Sequence, residues 1–165
     1  MKLLSNYISV YRRYTRSVNL ERDIDTADSV KGYVPTQKAI DVLDRFISSY
    51  LTPHSVRAWT LTGVYGTGKS SFAHFLASIA APDTHQVKKN ALKICNKTIA
   101  SSIPQYKSFI KNLPSAGLVR AVGTAQREPV SHTIIRILHR GGMSFWDKKS
   151  QGRRPKALSE VESHG

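Results

Sequence analysis

The sequence predicts an α/β fold: a small parallel sheet with a strand–loop–helix core and N-terminal helices. Three observations lead there. A short apolar run at 56–62 leads into a glycine-rich loop and then into a helix-periodic segment. A second apolar run, 118–122, follows two further helical segments. The 165 residues are 40% hydrophobic and 22% charged, which suits one ordinary globular domain.

The elements follow in order. Residues 1–16 read as a short amphipathic helix with Leu4, Ile8 and Tyr11 on one face. Residues 1–20 carry no acid, a composition shared with transit peptides, but the acids Glu21, Asp23, Asp25 and Asp28 follow at once. Residues 17–34 read as a polar, extended connection. Thr36 can cap a helix carrying Ile40, Leu43, Ile47 and Leu51, in which Asp41 can pair with Arg45. Pro53 stops it. Residues 56–62, with Trp59 and Leu61, read as a buried strand. A helix over 70–80 gathers Phe72, Phe75, Leu76 and Ile79 on one face. Asp83 is placed to cap a basic helix of about 84–101, and a further helical piece surrounds Tyr106, Phe109, Ile110 and Leu113. After the turn residues 115–117, the run 118–122 reads as a second strand. Pro129 suits the first turn of a helix through Ile134, Ile135 and Leu138 that stops at Gly141 and Gly142. Residues 143–165 show no period and read as a loose basic tail.

Charge and cysteine content narrow the function classes. There are 25 Lys+Arg against 11 Asp+Glu, a formal net charge of +14. Counting along the chain, residues 1–82 hold 10 basic and 6 acidic side chains (net +4), and residues 83–165 hold 15 and 5 (net +10). A basic half can attract phosphates, but no nucleic-acid motif accompanies it, so solvated lysine faces, or the absence of an acidic partner segment, are the preferred reading. No stretch approaches 18 consecutive apolar residues, so no membrane-spanning helix is expected. The single cysteine, Cys95, excludes an internal disulfide and suits a reducing, cytoplasmic setting.

One motif carries chemistry. Gly63-Val64-Tyr65-Gly66-Thr67-Gly68-Lys69-Ser70 fits G-x-x-x-x-G-K-[ST] without a mismatch. Its glycines let the backbone wrap an anion that a Cβ would obstruct. Successive N–H groups and the following helix N-terminus supply partial positive charge. Lys69 is expected to reach the β- and γ-phosphates, and the Ser70 hydroxyl to ligate Mg²⁺.

On these residues, 56–80 resembles the first strand, phosphate loop and first helix of P-loop NTPases, of the AAA and STAND-like kind. A wider stretch, roughly 17–140, resembles the N-terminal part of large bacterial antiphage-defence ATPases. It does so in Leu20-Glu21-Arg22-Asp23, Gly32-Tyr33-Val34-Pro35-Thr36, Arg57-Ala58-Trp59-Thr60-Leu61-Thr62-Gly63 and Gly68-Lys69-Ser70-Ser71-Phe72. The resemblance implies a partial P-loop NTPase core over 54–142, preceded by a helical and linker region (1–53) and followed by the basic tail (143–165). It implies ATP with Mg²⁺ as cofactors, held by residues 63–70 and Ser71, with Tyr33 and Val34 lining the adenine pocket. Tyr33 as a turn residue packed on the core is an equal reading. The resemblance also implies other defence-complex subunits as partners and ATPase activity in a longer parent.

The chain departs from that family where hydrolysis needs an acid at the end of an apolar strand. The acids after Ser70 are Asp83, Glu128, Asp147, Glu160 and Glu162, and none closes such a strand. A chain cut before its catalytic carboxylates is therefore expected, and the catalytic residues are unassigned. Glu128 reads as a helix-start residue and Arg127 as an exposed loop arginine. His132 and His139 lack a third metal ligand. Cys95 sits beside Lys93 and Lys97, which can lower a thiol's pKa, but a half-buried, inert thiol is the preferred reading. Two other functions stay open: a basic protein making weak, non-specific nucleic-acid contacts, and a non-functional fragment.

Overall fold

The computed structural model describes residues 18–147 and 155–163; the helix expected over 1–16 lies outside them. Among the described residues seven helices follow in order: α1 (Leu20–Asp23), α2 (Gln37–Leu51), α3 (Lys69–Ile79), α4 (Gln86–Thr98), α5 (Tyr106–Asn112), α6 (Val130–Asp147) and α7 (Lys156–Ser163). Among the described residues there is no strand and no sheet, so the architecture is all-helical and the α/β expectation is corrected.

Helices form where periodicity and caps agree. The Thr36 Oγ1 accepts the Ala39 N–H at 3.3 Å and opens α2, whose Leu43 and Ile47 are buried. Asp41 accepts from the Gln37 amide at 2.9 Å. Phe72, Phe75 and Ile79 of α3 meet Val87, Ala91 and Cys95 of α4, and Phe109 of α5 closes the same core. Phe46 and Tyr50 of α2 set their rings edge-on to Phe109, at centroid distances of 6.2 and 5.3 Å.

Residues 17–34 are not the extended connection expected. From Val18 onward they form α1 and a series of turns, tied to the core by side chains far along the chain. The buried His74 Nε2 lies 3.0 Å from both the Asp23 carbonyl and the Ser29 hydroxyl. The Asn90 amide donates to the Ala27 carbonyl at 2.7 Å. Such links satisfy buried backbone groups without regular structure.

The two expected strands form no regular secondary structure and pair in no ladder among the described residues. Their polar groups bond to helix ends and side chains instead. The Ser49 hydroxyl donates to the Val56 carbonyl, and the Arg57 guanidinium donates to the carbonyls of Tyr50 and Thr52. The Leu118 N–H donates to the Ala80 carbonyl at 2.8 Å, and just past the second run the Thr124 N–H donates to Glu21 Oε1 at 2.5 Å. A parallel sheet is stabilised by burial on both faces and by several neighbouring strands. Here Trp59 stays 43% exposed and Leu61 40% exposed, so that burial is not realised. Apolar content in a short run measures burial potential, and a ladder also needs partners.

Other boundaries shift for tertiary reasons. α4 begins at Gln86 with His85 at its N-cap, and Asp83 binds the Lys88 ammonium at 2.7 Å rather than capping the helix. α6 continues through Gly141 and Gly142 to Asp147. A Cβ on Gly141 would come within 2.7 Å of the Ala121 backbone, and one on Gly142 within 2.8 Å of Leu158. These glycines serve close approach rather than termination. Part of the expected loose tail is therefore helical: residues 143–147 finish α6, and α7 packs against it. Among the described residues no helix is long and apolar enough to cross a membrane.

Candidate phosphate-binding loop

Residues 63–68 form an exposed loop that ends directly in α3. Gly66 and Gly68 take φ of +82° and +83°, a left-handed conformation that a side chain at either position would strain. Gly68 is the N-cap of α3 and makes no side-chain cap bond. The first helical N–H groups, which no helix can satisfy internally, are thus not capped by a side chain of Gly68.

Lys69 is the first residue of α3, and its side chain turns back over the loop. Its Nζ donates to the carbonyls of Gly63 and Val64, both at 2.8 Å, and lies 3.4 Å from Thr67 Oγ1. Thr67 Oγ1 in turn donates to the Val64 carbonyl at 2.9 Å. The ammonium is held by neutral dipoles, and it enters no ion pair among the described residues. The loop thus carries a full positive charge beside a helix N-terminus, the combination that attracts an anion. The donor set fits a phosphate group: backbone N–H groups, one ammonium, and the Ser70 and Ser71 hydroxyls in the first turn. Ser70 is exposed.

The remaining predicted residues lie apart from this loop. The Tyr33 ring packs on Phe75 of α3, with centroids 4.7 Å apart and planes tilted by 32°. Burial raises its phenol to about 12. Phe75 is six residues beyond Lys69, roughly 9 Å along the helix axis. Tyr33 is thus partly buried against the core, and Val34 is 77% exposed beside it. Tyr65 and Val64, within the loop, are also exposed.

Glu128 Oε1 accepts from the Arg136 guanidinium and from Thr133 Oγ1, each at 2.7 Å. The Arg136 and Thr133 hydrogen bonds hold its carboxyl below the ordinary value. Glu128 is therefore committed to the start of α6. Arg127 is exposed. Cys95 is fully buried rather than half-buried, and burial pushes its thiol up to about 12, away from the thiolate and toward the inert thiol that the sequence reading prefers. No group of three or more His, Cys, Asp or Glu side chains able to hold a metal occurs among the described residues.

Sequence reasoning missed a second polar centre at the far end of α3. A cavity of ≈ 580 Å³ opens there, lined by Asp25, Pro82, His85, Leu118, Arg120 and Phe145 among others. The Arg120 guanidinium donates to Asp25 Oδ1 at 2.5 Å and to the Ile24 carbonyl at 3.2 Å. His85 Nδ1 lies 3.7 Å from the same Asp25 oxygen. Ninety-five residues separate Asp25 from Arg120, so no local pattern announces the pair.

The chain matches no protein-family profile, and no curated protein or solved structure matches it at a significant level.

Proposed function

We propose that this chain binds the phosphate groups of a nucleoside triphosphate, ATP with Mg²⁺, through residues 63–71. The observation that carries the reading is the arrangement of Lys69. Its ammonium is fixed on the carbonyls of its own glycine-rich loop, at the N-terminus of α3, and it enters no ion pair among the described residues. A loop of this kind binds phosphates with its own backbone N–H groups and one lysine, and neither depends on a sheet. Turnover is a separate matter. Hydrolysis needs a positioned water and carboxylate support for the metal, and Glu128 is engaged by Arg136. This chain alone is proposed to bind nucleotide and to turn it over negligibly, activity belonging to a larger ATPase. Cytoplasmic residence and a role with other subunits in bacterial antiphage defence belong to the same proposal and rest on the resemblance over roughly 17–140.

Thermal unfolding with and without Mg·ATP tests the binding. Lys69→Ala should keep the fold, because the side chain sits on an exposed loop. It should weaken nucleotide affinity by about tenfold or more, the worth of one charge-assisted hydrogen bond. Equal stabilisation of variant and wild type by Mg·ATP would overturn the reading. Steady phosphate release that Glu128→Gln abolishes would overturn the assignment of Glu128 to the helix start.

A further inference from the structure

Residues 84–127 contain no Asp or Glu and eight Lys or Arg. The fold sorts the lysines of α4 into two kinds. Val87, Ala91 and Cys95 turn inward, and Lys88 is buried with them against Asp83. Lys89, Lys93 and Lys97 are all exposed. Their spacing of four places them on one stripe, roughly 6 Å apart and 12 Å from end to end. Gln86 and Asn96 share that face.

The acids that lie near the basic half are engaged elsewhere. Asp83 serves Lys88, Asp25 serves Arg120, Glu128 serves Arg136 and Glu21 serves Arg140. None of the three ladder ammoniums makes an ion pair among the described residues. Like charges four apart destabilise a helix, and α4 carries that repulsion twice over without an internal counter-charge. On α5, Lys107 and Lys111 repeat the spacing, also exposed.

We propose that this face of α4 docks the phosphodiester backbone of a nucleic acid, independently of the phosphate loop. A nucleic-acid strand presents one charge per about 3.4 Å of axis, so the ladder spans about three to four phosphates. Gln86 and Asn96 add hydrogen-bonding groups suited to phosphate and sugar. The face offers no aromatic side chain for base stacking, so binding does not read sequence. It also offers no apolar side chain for insertion, which a membrane-surface helix needs.

Fluorescence polarisation with a short, labelled, mixed-sequence single-stranded oligonucleotide tests the proposal across a salt series. The triple variant Lys89→Gln, Lys93→Gln, Lys97→Gln removes three charges and relieves the repulsion, so the helix is expected to persist by circular dichroism. Affinity should fall at least about tenfold, and the slope of log K against log salt should flatten by roughly two. A control triple, Lys31→Gln, Lys38→Gln, Arg45→Gln, removes the same charge elsewhere and should keep the slope. The triple variant Lys89→Arg, Lys93→Arg, Lys97→Arg should preserve binding. Equal losses in ladder and control triples would show diffuse charge and overturn the proposal. So would preference for one sequence over its scramble, or better competition by polyglutamate or anionic vesicles than by the oligonucleotide.

Discussion

Lys88 is 3% exposed, and its ammonium sits 2.7 Å from an Asp83 oxygen whose side chain is 61% exposed. The pair pins the first turn of α4 to the end of α3. Removing one partner of a fully buried pair costs roughly 3–5 kcal/mol, because the other charge stays buried and unpaired. Asp83 opens to water, so Asp83→Asn should cost less, about 1–3 kcal/mol, near the penalty for an unsatisfied buried polar or charged group. Asparagine keeps the shape and the Asp83 N–H bond to the Ser115 carbonyl, which isolates the charge. Lys88→Met keeps the aliphatic stem and leaves no buried charge, so it should cost under about 1 kcal/mol. For a chain of this length each kcal/mol moves the thermal midpoint by about 2–4 °C. Urea unfolding followed by circular dichroism, at matched slopes, resolves the difference. The double variant should behave like Lys88→Met. If Lys88→Met proves as costly as Asp83→Asn, the lysine contributes through packing, and the reasoning from an uncompensated charge fails.

Two further predictions follow from named side chains. The Cys95 thiol, raised by burial to about 12, should resist thiol reagents in the native protein at neutral pH and react only on unfolding; prompt native labelling would contradict its place in the core. Its contribution to stability is fully present below 9.0, where the unfolded thiol titrates, and is lost as pH rises toward about 12. The Glu21 carboxyl is lowered chiefly by the Thr124 N–H, with Arg140 adding to it. Its contribution is therefore present above 4.5 and lost as pH falls below that value through the folded one. Glu21→Gln should flatten the acid limb of a stability–pH curve below 4.5, and an unchanged limb would place the acid sensitivity elsewhere.

The sequence by itself determined the helices whose signals are local. Thr36 and the spacing of Ile40, Leu43 and Ile47 specify α2. Phe72, Phe75 and Ile79 specify the buried face of α3, and the glycines and Lys69 mark the loop before it. Caps, period and left-handed turns are decided within a few residues, so they can be read from the chain alone. Pairing and burial are not local. The runs 56–62 and 118–122 look alike as buried strands, yet only neighbours could complete a ladder, and the fold instead bonds the Val56 carbonyl to Ser49, the Arg57 guanidinium to the carbonyls at the end of α2, and the Leu118 N–H to the Ala80 carbonyl. The glycine pair that reads as a helix stop lets α6 approach Ala121 and Leu158. Tyr33 rests on Phe75, Cys95 is buried although lysines flank it, and Asp25 meets Arg120 across most of the chain. Only tertiary packing decides which lysine of α4 is neutralised inside and which three are left to solvent, because sequence fixes the spacing of side chains along a helix while its neighbours fix which face they cover.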